Sequence, residues 1–172
     1  MVEEKLEAPD TTPSGAIHLE DLEKWDKLPP KEILEKQATV IIECLEEIPC
    51  DVCAAVCPFK AIEMPRISDN PKVIFERCPG CAICVQACPG LAIRVVRYKY
   101  IGDNSMVILP YELLPLPKVG DIVDLLDRLG RKIGEGKVVS VAPRTKYKTP
   151  LVGVSVPRKL ALEVRYIRVK KK

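Results

Sequence analysis

Histidine occurs once in this sequence, at His18, tryptophan once, at Trp25, and phenylalanine only twice. Aromatic residues make up 5% of the chain against 47% apolar residues, so any core has to be built from aliphatic side chains. His18 lies in a segment without sustained periodicity and reads as an exposed polar residue, not a ligand or a catalyst. No apolar run approaches the roughly 20 residues of a membrane span, and no basic-then-apolar leader opens the chain. Both absences lead to the expectation of a soluble, cytoplasmic protein with no membrane span. Asparagine and glutamine number two each beside heavy use of Lys, Glu, Ile and Val, a composition that points to a thermophilic source. No nucleophile, general base or phosphate loop can be found: Gly134 and Gly136 mark an isolated bend. Asp121, Asp124 and Asp127 recur every third residue, as on a solvent-facing surface rather than a cation site. The basic residues are not interleaved with stacking aromatics, which speaks against nucleic-acid binding.

What the chain has in abundance is cysteine, eight residues confined to the stretch from Cys44 to Cys88. The later half of this stretch reads C-P-G-C-A-I-C-V-Q-A-C-P, an ungapped C-x2-C-x2-C-x3-C-P. The earlier half reads C-L-E-E-I-P-C-D-V-C-A-A-V-C-P and matches the same pattern from its second cysteine onward. At an offset of 31 residues, Cys50, Cys53, Cys57, Pro58, Ala61 and Ile62 superpose on Cys81, Cys84, Cys88, Pro89, Ala92 and Ile93. This internal repeat resembles the bacterial ferredoxin run, which holds iron–sulfur clusters through cysteine thiolates.

The spacing has a geometric reason. Two intervening residues let three thiolates of one loop reach three corners of a cube, and the fourth cysteine, followed by proline, points back toward the other cube. The resemblance therefore implies two [4Fe-4S] clusters with interlocked ligands. Cluster 1 takes Cys50, Cys53, Cys88 and one further group; cluster 2 takes Cys57, Cys78, Cys81 and Cys84. The offset puts Glu47 where the first cysteine of the earlier motif belongs, with Cys44 three residues before it. Thiolate suits iron better than carboxylate, and a slightly longer loop costs little closure entropy. Cys44 is thus the expected eighth ligand. The alternatives are an oxygen ligand from Glu47, or a three-iron cluster beside a buried Cys44.

Structural zinc takes four ligands per ion and has no use for a C-x2-C-x2-C triple or a repeated Cys-Pro ending. A secreted disulfide framework is disfavoured by the absent leader and the size of the chain. A radical-generating C-x3-C-x2-C loop is absent. Eight thiolates for two cubes leave no cysteine for a disulfide.

Around this stretch the fold class is read as α+β. Residues 1–37 form an extended arm with short helices, one from Leu19 toward Leu28 with Trp25 as its anchor and one over Lys31 to Lys36. Residues 38–97 form a two-[4Fe-4S] ferredoxin-like domain in which Ala38 to Glu43 pairs with Ala92 to Val96, and Ala61 to Met64 with Lys72 to Phe75. Small and apolar residues, Ala54, Ala55, Val56, Ile83, Val85, Gln86 and Ala87, are expected to line the clusters. Residues 98–172 are read as a small antiparallel β-barrel that serves as a docking domain. Its strands are Tyr98 to Ile101, Met106 to Leu109, Ile122 to Leu126, Lys137 to Val141, Leu151 to Val156 and Tyr166 to Val169, with a helical turn within Lys159 to Arg165. Net charge runs from −6 over Met1 to Glu43, through −1, to +10 from Arg97 onward, an asymmetry suited to electrostatic docking, either to other proteins or between the two ends of the chain.

A cubane with four thiolates has no open iron, so its use is one-electron transfer. The paired cysteine motifs, the phrase L-P-Y-E-L-L-P-L-P-K (Leu109 to Lys118) and the following strands are similar to the small ferredoxin-type subunit of multisubunit FAD-dependent dehydrogenases, the group that includes dye-linked proline dehydrogenases, sarcosine and opine oxidases and anaerobic glycerol-3-phosphate dehydrogenases. That resemblance implies FAD-dependent dehydrogenase subunits as partners in a hetero-oligomeric complex, with this chain as a non-catalytic relay. Nothing in the sequence binds flavin or nicotinamide. Two other readings stand beside it: a free, diffusible ferredoxin, and a structural metal module in a nucleic-acid-associated assembly.

Overall fold

The computed structural model describes residues 17–142, 147 and 149–170; residues 1–16 of the expected N-terminal arm lie outside the described residues. Helix α1 (Leu19–Lys24) carries Glu20 and Asp21 in its first turn and Lys24 in its last, the order the helix dipole favours. The Asp21 carboxylate accepts the His18 amide at 2.8 Å, closing the N-terminus. The helix stops at Lys24, short of Leu28. Asp26 adopts a left-handed φ of 51°, its amide donates to Glu23 O, and the Lys27 amide donates to Leu22 O at 2.9 Å. This is a Schellman reversal, and it turns the chain back on itself. Leu22 is fully buried and Trp25, the expected anchor of the arm, is half-buried. Helix α2 (Lys31–Lys36) begins after Pro30 and buries Leu34 in the main core.

Strand β1 (Thr39–Ile42) follows, then α3 (Val52–Ala55), β2 (Ile62–Glu63), β3 (Lys72–Val73), a 3-10 turn at Phe75–Arg77, α4 (Ile83–Ala87) and β4 (Ile93–Arg97). The predicted pairings form: Ile42 lies opposite Ile93 and Thr39 opposite Val96, while Ile62 lies opposite Val73. The 31-residue offset maps Ile42 onto Val73 and Ile62 onto Ile93, so the two ladders share one register and the sequence repeat is a spatial one.

β4 turns through residues 98–103 into β5 (Asn104–Pro110), with Val95 opposite Ile108 and Arg97 opposite Met106. The expected strand at Tyr98 to Ile101 is part of that turn, because β4 itself already supplies the pairing edge. β6 (Ile122–Leu126), β7 (Lys132–Ala142), β8 (Leu151–Pro157) and β9 (Tyr166–Val169) complete a seven-stranded antiparallel sheet in the order β1-β4-β5-β8-β7-β6-β9. The predicted barrel is not closed. β5 uses one edge for β4 and the other for β8, so the C-terminal strands extend the sheet of the cysteine-bearing half, and the ladder ends at β1 and β9.

Being shared, β1 and β4 are covered on both faces. Val40, Ile42, Ile93 and Val95 face the cysteine loops, whereas Ile41 and Val96 join the aliphatic core of β5 to β9, which includes Val107, Leu109, Val123, Leu125, Val154 and Ile167. This explains why Val40, Ile41 and Ile42, and likewise Val95 and Val96, follow one another without polar alternation. Arg94 is 0% exposed within β4 and requires a partner. That partner is Glu43, immediately after β1, which also accepts from Arg128 Nη2 at 2.9 Å and lies 3.5 Å from Arg165 Nε. Burial works to raise the Glu43 carboxyl, but the surrounding guanidinium groups together hold it below its usual range. The charge asymmetry of the sequence is thus spent in part within the molecule, the acidic N-terminal third meeting arginines of the basic half.

Asp124 and Asp127 are likewise not free surface groups. Asp124 pairs with Lys132 at 2.8 Å and Arg168 at 3.0 Å, and Asp127 accepts the Leu129 and Arg131 amides of its turn. No helix among the described residues is long and apolar enough to cross a membrane.

Candidate metal centre

All eight cysteines carry free thiols. Helices α3 and α4, equivalent under the repeat, each bear one inward cysteine, Cys53 and Cys84, both buried. Each helix then ends in a Cys-Pro turn built the same way. Lys60 and Leu91 take left-handed φ values of 48° and 51°, their amides donate to Cys57 O and Cys88 O, and the next amides, of Ala61 and Ala92, donate to Cys57 Sγ at 3.3 Å and Cys88 Sγ at 3.4 Å. The left-handed residue reverses the chain so that an amide points back at sulfur. Such amide donors favour negative charge on the thiolate and tune a bound cluster.

Cys44, Cys50, Cys53 and Cys88 line one cavity together, with Ile42, Val52 and Ile93 as apolar wall. Their thiols lie close enough to disfavour one another's ionisation. Burial raises Cys44, with Cys88 and Cys50 adding to it, and burial raises Cys53 to about 11, with Cys88, Cys44 and Cys50 acting in the same direction. The second group forms around Cys84, which burial pushes up strongly, reinforced by Cys78, Cys81, Cys53 and Cys57. Cys53 thus stands near the thiols of both groups, across the α3–α4 contact.

Four thiols gathered in a pocket that penalises bare thiolates need positive charge to hold them deprotonated, and iron supplies it. Among the described residues no three His, Cys, Asp or Glu side chains converge tightly enough for a single metal ion. The donor set fits clusters whose corners lie apart, and each [4Fe-4S] cluster supplies one-electron redox chemistry.

The sequence-predicted residues assemble unevenly. Glu47 is exposed and does not line the cavity that Cys44 enters. Cys81 is exposed, so the second group reaches the surface at that corner. Ala55 of the expected lining faces solvent, and Ile42, Val52 and Ile93 take its place. Gln86 is buried and donates to Thr149 O at 3.2 Å, joining α4 to the segment before β8. Four contributors were missed by sequence reasoning. The Ala61 and Ala92 amides were visible only as repeat positions, Lys27 bore no local signal, and Gln37, which donates to Phe75 O at 2.8 Å and Cys78 O at 3.1 Å, looked like a linker residue. Gly80, with φ +69°, lets the Cys78–Cys81 loop close on β1: a Cβ there would lie 2.7 Å from Ala38 Cβ.

Residues 48–98 match the family described as the 4Fe-4S dicluster domain. Seven of the eight cysteines fall within those bounds, and Cys44 lies outside them. This region carries two [4Fe-4S] clusters, and the class of the site is electron transfer. The chain is similar to NADH-quinone oxidoreductase subunit I of Pelobacter propionicus, 32% identical over 76 residues, which covers 38% of this chain and 39% of that protein. The chain thus matches well under half the length of this curated relative. No solved structure matches the chain.

Proposed function

We propose that this protein is an electron-relay subunit of a multisubunit oxidoreductase, passing single electrons between a flavin-containing dehydrogenase subunit and an acceptor. The observation that carries the reading is the pair of packed, repeat-related helices, each with a buried inward cysteine, together with the four thiols that line one cavity. The ligand sets are Cys44, Cys50, Cys53 and Cys88 for one cluster and Cys57, Cys78, Cys81 and Cys84 for the other. Cys44 takes the place of the missing first cysteine, because it enters the cavity and Glu47 does not. The residues do complementary work: aliphatic walls from β1 and β4 exclude water, the Ala61 and Ala92 amides stabilise sulfur charge, and exposed Cys81 offers a surface corner for exchange.

The flavin-containing partner is supported by the Leu109–Lys118 phrase, which places Leu113, Leu114 and Leu116 at the surface beyond β5. In this reading β5 to β9, as a docking domain, hold the relay in a cytoplasmic hetero-oligomer. A second reading, a relay in a complex of the quinone-reducing type, is favoured by the similarity to the Pelobacter subunit. Affinity purification under anaerobic conditions separates the two by whether a flavoprotein dehydrogenase or a quinone-reductase subunit accompanies the chain. The relay itself is tested by anaerobic iron and sulfide analysis with EPR after reduction. The expected result is about eight iron per chain with magnetically coupled signals. Zinc in either site, or disulfide-joined sulfurs, overturns it.

A further inference from the structure

Among the described residues of the N-terminal arm, Lys27 brings a cation to the cysteine stretch, at the wall of one of its two halves. The Schellman turn at Asp26 aims Lys27 away from α1, and its Nζ donates to Pro71 O at 3.1 Å. Pro71 lines the same cavity as Cys44, Cys50, Cys53 and Cys88. Lys27 is half-buried, and burial lowers its pKa while the nearby Cys44 thiolate works to raise it. The ammonium is therefore held in place against a desolvation cost. Two carboxylates line the same cavity: Asp69, which is paired with Arg66 at 2.7 Å, and Glu46, which also bears on Cys44 but is exposed and more thoroughly screened by solvent. Around Cys84 the influences are burial and the neighbouring thiols Cys78, Cys81, Cys53 and Cys57. The repeat makes the two thiol groups alike in backbone, so a cation supplied from outside it sets them apart.

We propose that Lys27 is a positioning residue for charge: it raises the reduction potential of the cluster held by Cys44, Cys50, Cys53 and Cys88 above that of its repeat-related neighbour, and so fixes which of the two holds the electron. The inference rests on the two-cluster reading given above. Reduction by dithionite would place one electron on the iron of the cluster these four thiolates hold, with no bond made or broken at the cluster and no proton taken up, and would leave the cluster and its ligands one unit more negative. A half-buried ammonium beside Cys44 favours that added charge more than it favours the oxidised set.

The test is an anaerobic dithionite-driven redox titration followed by EPR, on wild type and on Lys27→Met, Lys27→Gln and Lys27→Arg, with iron and sulfide content measured first. Content below two clusters in wild type sinks the two-cluster reading itself. Full content with unchanged potentials in Lys27→Met sinks only the role of Lys27. The expected outcome is that Lys27→Met keeps its iron and lowers one potential of the two by about 59 mV, a tenfold fall in the reduced-to-oxidised ratio for one electron. Lys27→Arg, which keeps the charge, restores the wild-type value; Glu46→Gln shifts the same cluster upward by less. If methionine prevents loading, Lys27→Gln, which retains a donor for Pro71 O, carries the measurement. Equal falls in the Arg and Met variants, or a shift of both clusters together, overturn the proposal.

Discussion

Replacing Cys44 by alanine removes the one proposed ligand that lies outside the dicluster match. The magnitude follows from the cavity. Cys50, Cys53 and Cys88 remain in place, their positions set by α3, by the Cys50 amide donating to Ile67 O at 3.0 Å, and by the Cys88 turn. Three thiolates hold three corners of a cube, so one iron should be lost and iron content should fall from about eight to about seven per chain. The product is a three-iron cluster, which is paramagnetic when oxidised, whereas an intact cubane in that state is silent. Chemical iron analysis and EPR of the air-oxidised protein read both consequences. Glu47→Ala serves as the companion, and should leave content and spectra unchanged because Glu47 is exposed and outside the cavity wall. The reasoning is refuted if Glu47→Ala produces the three-iron signal, or if Cys44→Ala retains full iron with wild-type spectra. Either result would mean that the iron corner is completed by another group.

Glu43→Gln leaves Arg94 buried without its carboxylate, a loss expected to cost about 3–5 kcal/mol, while Arg128 keeps Glu163 at 3.0 Å. At a fixed scan rate the thermal midpoint should then fall by roughly 2–4 °C for each kcal/mol, and coincident curves would refute the role of the network. Glu43 titrates below its ordinary value of 4.5 in the folded protein, so its stabilisation is complete above that pH and is lost as pH falls through the folded value. The wild type should therefore lose more stability than Glu43→Gln on acidification through that window; parallel pH profiles would contradict the assignment. Gly80→Ala forces a Cβ to within 2.7 Å of Ala38 Cβ at φ +69°, with an expected cost of about 1–3 kcal/mol. The Cys78–Cys81 loop should suffer first, so iron should be lost from one cluster while the other keeps its EPR signal. Equal loss from both would show that Gly80 does not act through that loop.

Much of the centre was legible in the sequence because its chemistry is local. A C-x2-C-x2-C loop reaches three corners of a cube whatever surrounds it, and the repeat at offset 31 fixed the pairing of both short ladders. The strand pattern past residue 97 was also readable in outline, since turn residues punctuate β6, β7, β8 and β9. The errors lie where position depends on distant partners. The barrel was expected because short strands with turns commonly close on themselves, but β4 offered β5 a free edge and the sheet grew from there. The first helix was expected to run toward Leu28; the early reversal at Asp26 ends it at Lys24.

By itself the sequence determined the cofactor chemistry and the internal symmetry, because thiolate donors at fixed short separations can satisfy little else. The tertiary structure alone decided that Cys44 and not Glu47 enters the cavity, and that Arg94, Arg128 and Arg165 meet on Glu43. It also decided that Lys27 meets Pro71 O at the wall of the cavity Cys44 lines. These outcomes depend on which segments a folded sheet brings together across dozens of residues, and no periodicity along the chain encodes that distance.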